Sequence, residues 1–322
     1  MNRLLARLAI AAALAAPFSS NAAPFSFVAI GDTPYQLPAH FDHFERLIQR
    51  INGVQPAFTI HVGDIKSGNT RCEDAHLLRI REMFDHFQQP LVYTPGDNEW
   101  TDCHRADNGS FDPIERLAKI RSLFFAQPAV ALGKQPMKVE SESAEPRFAP
   151  FVENLRWQRE GVWFATVHII GSNNNLQRNQ SAVNEYIARN AANLAWIDST
   201  FAMAAKAGAK AVVVAFQADP WWNLDGSEDQ RSGFTETIQS LKANAIKFGK
   251  PVLIVHGDRH RLIVDKPLYQ NRQLIYNATR LMVFGETEVQ GVVVGVDPDD
   301  IDVFSFRTLT VTENLTPSAV SR

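Results

Sequence analysis

The sequence predicts an α/β fold, a parallel-type sheet wound with helices and closed by further strands near the C-terminus. Three observations predict it. Apolar runs rich in β-formers end four times in Gly-Asp: residues 25–30 before Gly31-Asp32, 58–62 before Gly63-Asp64, 91–95 before Gly96-Asp97, and 252–256 before Gly257-Asp258. No other Gly-Asp pair occurs. Stretches with apolar residues at helical spacing lie between the runs. The chain has 322 residues and is 45% hydrophobic, enough for one large domain with a proper core.

The elements follow in order. After the first strand, Phe41, Phe44, Leu47, Ile48 and Ile51 mark a helix over residues 41–52, stopped by Gly53. The strand at 58–62 follows, then an amphipathic helix over 75–88 and a short strand at 91–93. Asp112 before Pro113 reads as an N-cap with proline at the first helical position, opening a helix to about residue 125. Residues 126–159 lose periodicity and read as an irregular surface insertion. A strand at 162–170 leads to the polar loop Gly171-Ser172-Asn173-Asn174-Asn175. A long helix over 184–207 ends at Gly208, a valine-rich strand covers 211–216, and a helix over 235–248 ends at Gly249. The strand at 252–255 follows. Residues 274–276, 281–284, 289–296 and 301–311 then read as consecutive strands of a second sheet.

In an open α/β sheet the carboxyl ends of the strands line the ligand crevice. Four aspartates at one such rim repel each other, by about 4 kcal/mol for a pair about 4 Å apart at moderate dielectric. A bound cation removes that penalty, so the four corners predict a metal site first and a chemistry second.

The N-terminus reads as an export signal over residues 1–22: Arg3 and Arg7, an apolar stretch at 8–16, and a small-x-small site at Ser20-Asn21-Ala22. The apolar stretch is shorter than the roughly 18 residues of a membrane span. The mature domain then covers 23–312, with a loose tail at 313–322, and the expected location is periplasmic or secreted. Cleavage leaves 30 basic against 35 acidic side chains, which predicts no nucleic-acid footprint. An oxidising compartment suits a disulfide between the two cysteines, Cys72 and Cys103, which would tie two corner loops together.

The order of these corners resembles the calcineurin-like metallophosphoesterase superfamily, whose blocks are D-x-H, G-D-x-x-D, G-N-H-D/E, an isolated His and G-H-x-H. The resemblance spans residues 25 to about 311 and implies a two-sheet β-sandwich flanked by helices, a four-layer αββα arrangement. Asp32 matches the first block, with Pro34 in the histidine's place. Asp64 matches the metal-bridging aspartate of the second block, and Ser67 replaces its partner. In the third block Asp97 replaces the asparagine, Asn98 replaces the histidine that acts near the leaving group, and Glu99 matches. Gln217 stands nearest the isolated histidine. In the last block Asp258 replaces one histidine and His260 matches the other.

The resemblance implies a metal set of Asp32, Asp64, Asp97, Gln217, Asp258 and His260, holding two divalent ions. With oxygen replacing nitrogen, Mn, Mg, Ca or Fe are favoured over Zn. It implies hydrolysis of a small phosphorylated substrate through a metal-bound hydroxide. Asn98 offers hydrogen bonds but no acid proton. His104 and Glu99 are therefore the candidate proton donors, and Arg259 and Lys66 the candidate partners of phosphate oxygens. Tyr35 is a further candidate ligand. The alternative is a non-catalytic relative that binds a cation or ligand without turnover. Blander roles stand beside several residues. His61, His168 and His256 read as buried core histidines. Glu99 could hold the Gly96 turn through a backbone N–H. Trp100, Trp221 and Trp222 either wall a pocket or pack, and Asn173, Asn174 and Asn175 form either a substrate loop or a connection.

Overall fold

The computed structural model describes residues 22–221 and 232–315. Residues 1–21 of the expected export signal, Trp222 and the end of the tail lie outside the described residues. Two sheets face each other. The first has the order β14–β13–β1–β2–β3, from β1 (Phe25–Ile30), β2 (Thr59–His61), β3 (Leu91–Tyr93), β13 (Gly291–Val296) and β14 (Phe304–Leu309). The second has the order β4–β5–β6–β7–β8–β12–β9. Its strands are β4 (Glu140–Ser141), β5 (Leu155–Arg159), β6 (Val162–Thr166), β7 (Ala211–Ala215), β8 (Val252–His256), β9 (Ile263–Asp265) and β12 (Ala278–Met282). A small hairpin pairs β10 (Tyr269–Gln270) with β11 (Gln273–Leu274).

The middle of each sheet is parallel. Strands β1, β2 and β3 run together in register, as do β6, β7, β8 and β12. Parallel strands buried on both faces read as unbroken apolar runs, which is why Ala211–Ala215 and Val252–His256 show no alternation. Aromatic rings fill the space between the sheets. Phe58 of the first sheet's side sits edge-on to Trp157 and Phe164 of the second, at 5.3 and 5.1 Å between ring centres.

Helices cover the outer faces. Against the first sheet lie Ala39–Val54, Asp74–Phe84 and Pro113–Phe124, burying Phe44, Leu47, Ile48, Leu77, Ile80, Phe84 and Ile120 among others. Against the second lie Gln180–Lys206 and Thr235–Phe248, with Trp196, Ile197, Phe201 and Leu241 packed on Val212, Val214 and Ile254. Helix, sheet, sheet and helix make the four layers that the resemblance implied. No described helix is long and apolar enough to cross a membrane.

Several boundaries differ from the sequence reading for physical reasons. The first helix passes Gly53 and closes on Gln55, whose left-handed backbone (φ 53°) sends its N–H to the Ile51 carbonyl. The long helix starts at Gln180, because the Asn179 side chain caps the Ala182 N–H at 2.9 Å. Residues 126–159 are not wholly irregular, since they hold β4 and β5. Arg156 hid β5: its guanidinium is buried at 4.0 Å over the Trp196 ring and pairs with Glu140 at 2.7 Å. The C-terminal strands do not form a sheet of their own. β13 and β14 extend the first sheet antiparallel to β1, while β12 joins β8 in the second.

Candidate functional site

All four Gly-Asp corners lie at the carboxyl ends of β1, β2, β3 and β8, so both sheets deliver an aspartate to one rim. The corners divide their work in an unexpected way. The glycines are needed for space and the aspartates do most of the turning. Asp32 (φ 50°), Asp64 (φ 56°) and Asp258 (φ 80°) adopt the left-handed region, as does His260 (φ 59°), whereas only Gly63 among the four corner glycines does so. A short polar side chain tolerates that region better than an apolar one. A Cβ on Gly96 would come within 2.0 Å of Asp64 Oδ1, and one on Gly257 within 2.1 Å of Asp32 Oδ2.

Asp32 is fully buried, and both its oxygens accept from the Asp258 backbone N–H, at 3.0 and 3.1 Å. Asp64 is the most heavily held. Its Oδ2 accepts from Tyr35 Oη at 2.8 Å, Asn98 Nδ2 at 2.9 Å and Gln217 Nε2 at 3.2 Å. Its Oδ1 accepts from the Asn98 N–H at 3.2 Å. The Gln217 side chain also lowers the Asp258 carboxyl, and its Oε1 accepts from the Gly171 N–H at 2.6 Å. Asp97 accepts from Ser172 Oγ at 2.7 Å. His260 stands edge-on to the Tyr35 ring at 5.1 Å, with Nδ1 3.1 Å from Glu286 Oε2 and Nε2 3.9 Å from Asp32 Oδ1. The rim therefore gathers Asp32, Asp64, Asp97, Gln217, Asp258, His260 and Tyr35.

These carboxylates are electrostatically strained. Burial, then repulsion from neighbouring acids, holds Asp32 and Asp64 well above the usual carboxylate range. Burial and Asp97 push Asp258 up to about 7. Among the described residues the nearby arginines pair elsewhere, Arg105 with Asp102 and Arg280 with Asp219 and Asp265, while His260 stands between Glu286 and Asp32. Burial lowers the Lys66 ammonium to about 8, and its Nζ donates to the Ser67 carbonyl at 2.9 Å. Among the described residues no three His, Cys, Asp or Glu side chains already surround one point as a metal cage. The donor chemistry nonetheless fits a hard cation, because several buried carboxylates meet with only neutral donors on them. The spacing is not that of a ready bridge, since three neutral groups already engage Asp64 Oδ2.

Other sequence candidates fall differently. Glu99 is fully buried, with Oε1 accepting from Tyr93 Oη and from the Gly96 N–H, each at 2.7 Å. It pins the Gly96 turn, the backbone-holding role the sequence also offered for it. Asn98 positions Asp64 and donates also to Tyr35 Oη at 2.9 Å. His104 is not on the rim; its Nδ1 meets the Thr101 carbonyl at 2.6 Å. Arg259 follows Asp258 and acts electrostatically on Asp219. Lys66 is buried on Ser67, which corrects it as a phosphate-facing side chain. His61, His168 and His256 are fully buried, as the core reading expected. Trp100 is also buried, packed 5.5 Å from the His168 ring.

The disulfide joins Cys72 to Cys103, and both sulfurs lie near the Asn98 carbonyl, at 3.7 and 3.8 Å. Sequence reasoning missed Ser172 and Asp102. Ser172 opens a run of four left-handed residues through Asn175, and its hydroxyl lies between Asp97 Oδ2 and Asp102 Oδ1, at 2.7 and 3.1 Å. The only available signal was the position of Gly171-Ser172 just past a strand end.

No protein-family model matches the sequence, and no curated protein matches it by sequence. Solved structures do match by shape. A dimetal phosphatase from Danio rerio superposes with a TM-score of 0.54 at 11% identity, over 89% of this chain and 98% of that one. This chain shares the fold of that dimetal phosphatase. A purple acid phosphatase from yellow lupin follows with a TM-score of 0.49 at 11% identity, over 94% of this chain and 57% of that one. GAP50, the anchor in the inner membrane complex of Plasmodium, gives 0.47 at 11% identity, over 89% of each chain.

Proposed function

We propose that the protein is an exported, metal-dependent phosphoesterase acting on a small phosphate ester. One observation carries the reading: strand ends of two sheets deliver Asp32, Asp64, Asp97 and Asp258 to one buried rim, where the hydrogen bonds seen among the described residues come from neutral groups. These four, with Gln217 and His260, are the residues that would hold the cation. A divalent ion there supplies charge neutralisation for the phosphoryl oxygens and an acidified water. The oxygen-rich set suits Mn, Mg, Ca or Fe better than Zn.

The chain's own groups have separate tasks. Tyr35, Asn98 and Gln217 fix the Asp64 carboxylate from three sides. Glu286 accepts from His260 Nδ1, which leaves Nε2 as a lone-pair donor on the side of Asp32. Arg259, beside Asp258, is the proposed partner of a phosphoryl oxygen. Export is supported by the N-terminal pattern and by the disulfide, which suits an oxidising compartment.

The second reading, ligand binding without turnover, is favoured by the three neutral donors on Asp64 Oδ2. Two measurements separate the readings. Metal analysis of the purified protein, with hydrolysis of aryl phosphate mono- and diesters in Mn²⁺, should show bound metal and turnover. Asp64→Asn should lose both. Bound metal without hydrolysis favours the second reading, and unchanged metal in Asp64→Asn refutes the ligand assignment.

A further inference from the structure

Next to the rim lies a cavity of about 280 Å³, lined by Asp102, His104, Arg105, Ser172 and Arg178 among others. The Ser172 hydroxyl links it to the rim, donating to Asp97 on one side and contacting Asp102 on the other. The rim is acidic; this cavity is basic. Its one carboxylate among the described residues, Asp102, is engaged by Arg105 at 2.7 Å and by Ser172. Arg178 makes no ion pair within 4 Å among the described residues, although Asp112, Glu185 and Asp102 act on it from farther away. Its Nη2 lies 3.4 Å from Asn175 Oδ1, the edge of hydrogen-bonding distance. Its Nε is buried with no hydrogen-bond partner among the described residues. The guanidinium lines the cavity, and its planar fork of Nη donors matches an oxyanion. A larger cavity of about 980 Å³ at the β4 edge mixes Glu140, Glu142 and Glu145 with Arg147 and Arg156, and Arg156 is already paired with Glu140.

We propose that the basic cavity is a second anion subsite, built around Arg178 with Arg105 and His104. It would take a phosphate or carboxylate carried on the alcohol part of an ester whose phosphoryl group sits at the rim. The proposed substrate class is therefore a phosphate ester with a second oxyanion. The inference rests on the phosphoesterase reading for its first phosphate, but the subsite can be measured without turnover.

The test compares wild type, Arg178→Ala and Arg178→Lys on three esters: 4-nitrophenyl phosphate, propane-1,3-diol bisphosphate and the phosphate ester of 3-hydroxypropanoate. Arg178→Ala should raise KM at least tenfold for the two esters with a second oxyanion, and change 4-nitrophenyl phosphate by less than twofold. Arg178→Lys should recover part of the loss, and the more affected ester identifies the preferred oxyanion. Equal effects on all three esters, or none, overturn the subsite. Calorimetric titration of the protein as isolated with propane-1,3-diol bisphosphate supplies the arm that needs no catalysis. A tenfold weaker Kd in Arg178→Ala, at an unchanged melting temperature, supports the subsite even if no ester is hydrolysed, in which case only the catalytic reading fails. Binding that is absent in wild type, or equal in wild type and variant, overturns it.

Discussion

At the scale of single residues, the corner glycines and aspartates have exchanged the duties that sequence reasoning gives them. A Gly-Asp pair reads as a flexible glycine presenting a carboxylate. Here Gly96 is required because its Cβ position is already filled by Asp64, 2.0 Å from Oδ1 and 2.5 Å from the backbone nitrogen. The contact is with the site itself, so the glycine shapes the carboxylate it faces. Gly96→Ala should therefore destabilise the fold by more than about 2 kcal/mol, as overpacking of a tight interior does, and displace Asp64. Gly53→Ala is the control: the position is helical and nothing lies within 4 Å of its Cβ. That change should stabilise by roughly 0.5 to 1 kcal/mol. Urea denaturation of both variants checks the pair, and similar losses at the two positions would refute the argument.

At the scale of elements, two devices hold the loops that carry the site. The first is the disulfide. Its half-cystines are 31 residues apart, and closing a loop of that length in the unfolded chain corresponds to about 3 to 4 kcal/mol. The paired substitution Cys72→Ser with Cys103→Ser should lose that much in chemical denaturation and loosen the segment around Asn98. The second is Arg189, fully buried under the left-handed run. Its Nη1 donates to Asn174 Oδ1 at 2.6 Å and to the His168 carbonyl at 2.7 Å, and its Nε pairs with Glu185. Arg189→Ala leaves buried acceptors and Glu185 uncompensated, so a loss of roughly 3 to 5 kcal/mol is expected in the same measurement. Legibility divides along this line. The corners, the capped helices and the cysteine pair were readable because each rests on local spacing or on an even count. Ser172, Asp102 and Arg189 were not, because their meaning comes from partners tens of residues away. β5 was hidden by an arginine that buries itself against Trp196, and the two destinations of the C-terminal strands depend on pairings that no local pattern encodes.

At the scale of the whole molecule, buried titratable groups set opposite pH limits on stability. His61 is fully buried and held down to about 3 by desolvation, so it stays neutral in the fold. The unfolded chain takes up a proton there below its ordinary value of 6.5, and stability falls as pH drops from about 6.5 toward 3. Glu142 acts in the opposite direction. Burial raises it from 4.5 to about 8, against the lowering hydrogen bond from Asn154 Nδ2 at 2.7 Å. The folded state keeps the proton that the unfolded chain releases, so this contribution is complete below 4.5 and is lost as pH rises through about 8. Each such group changes stability by at most about 1.4 kcal/mol per pH unit within its window. Glu142→Gln keeps an acceptor for Asn154 and removes the titration. The variant should match wild type near pH 4.5 and become progressively more stable than wild type up to pH 8. Denaturation curves at half-unit intervals decide it, since parallel profiles for wild type and variant would mean that Glu142 ionises in the fold as freely as it does in water.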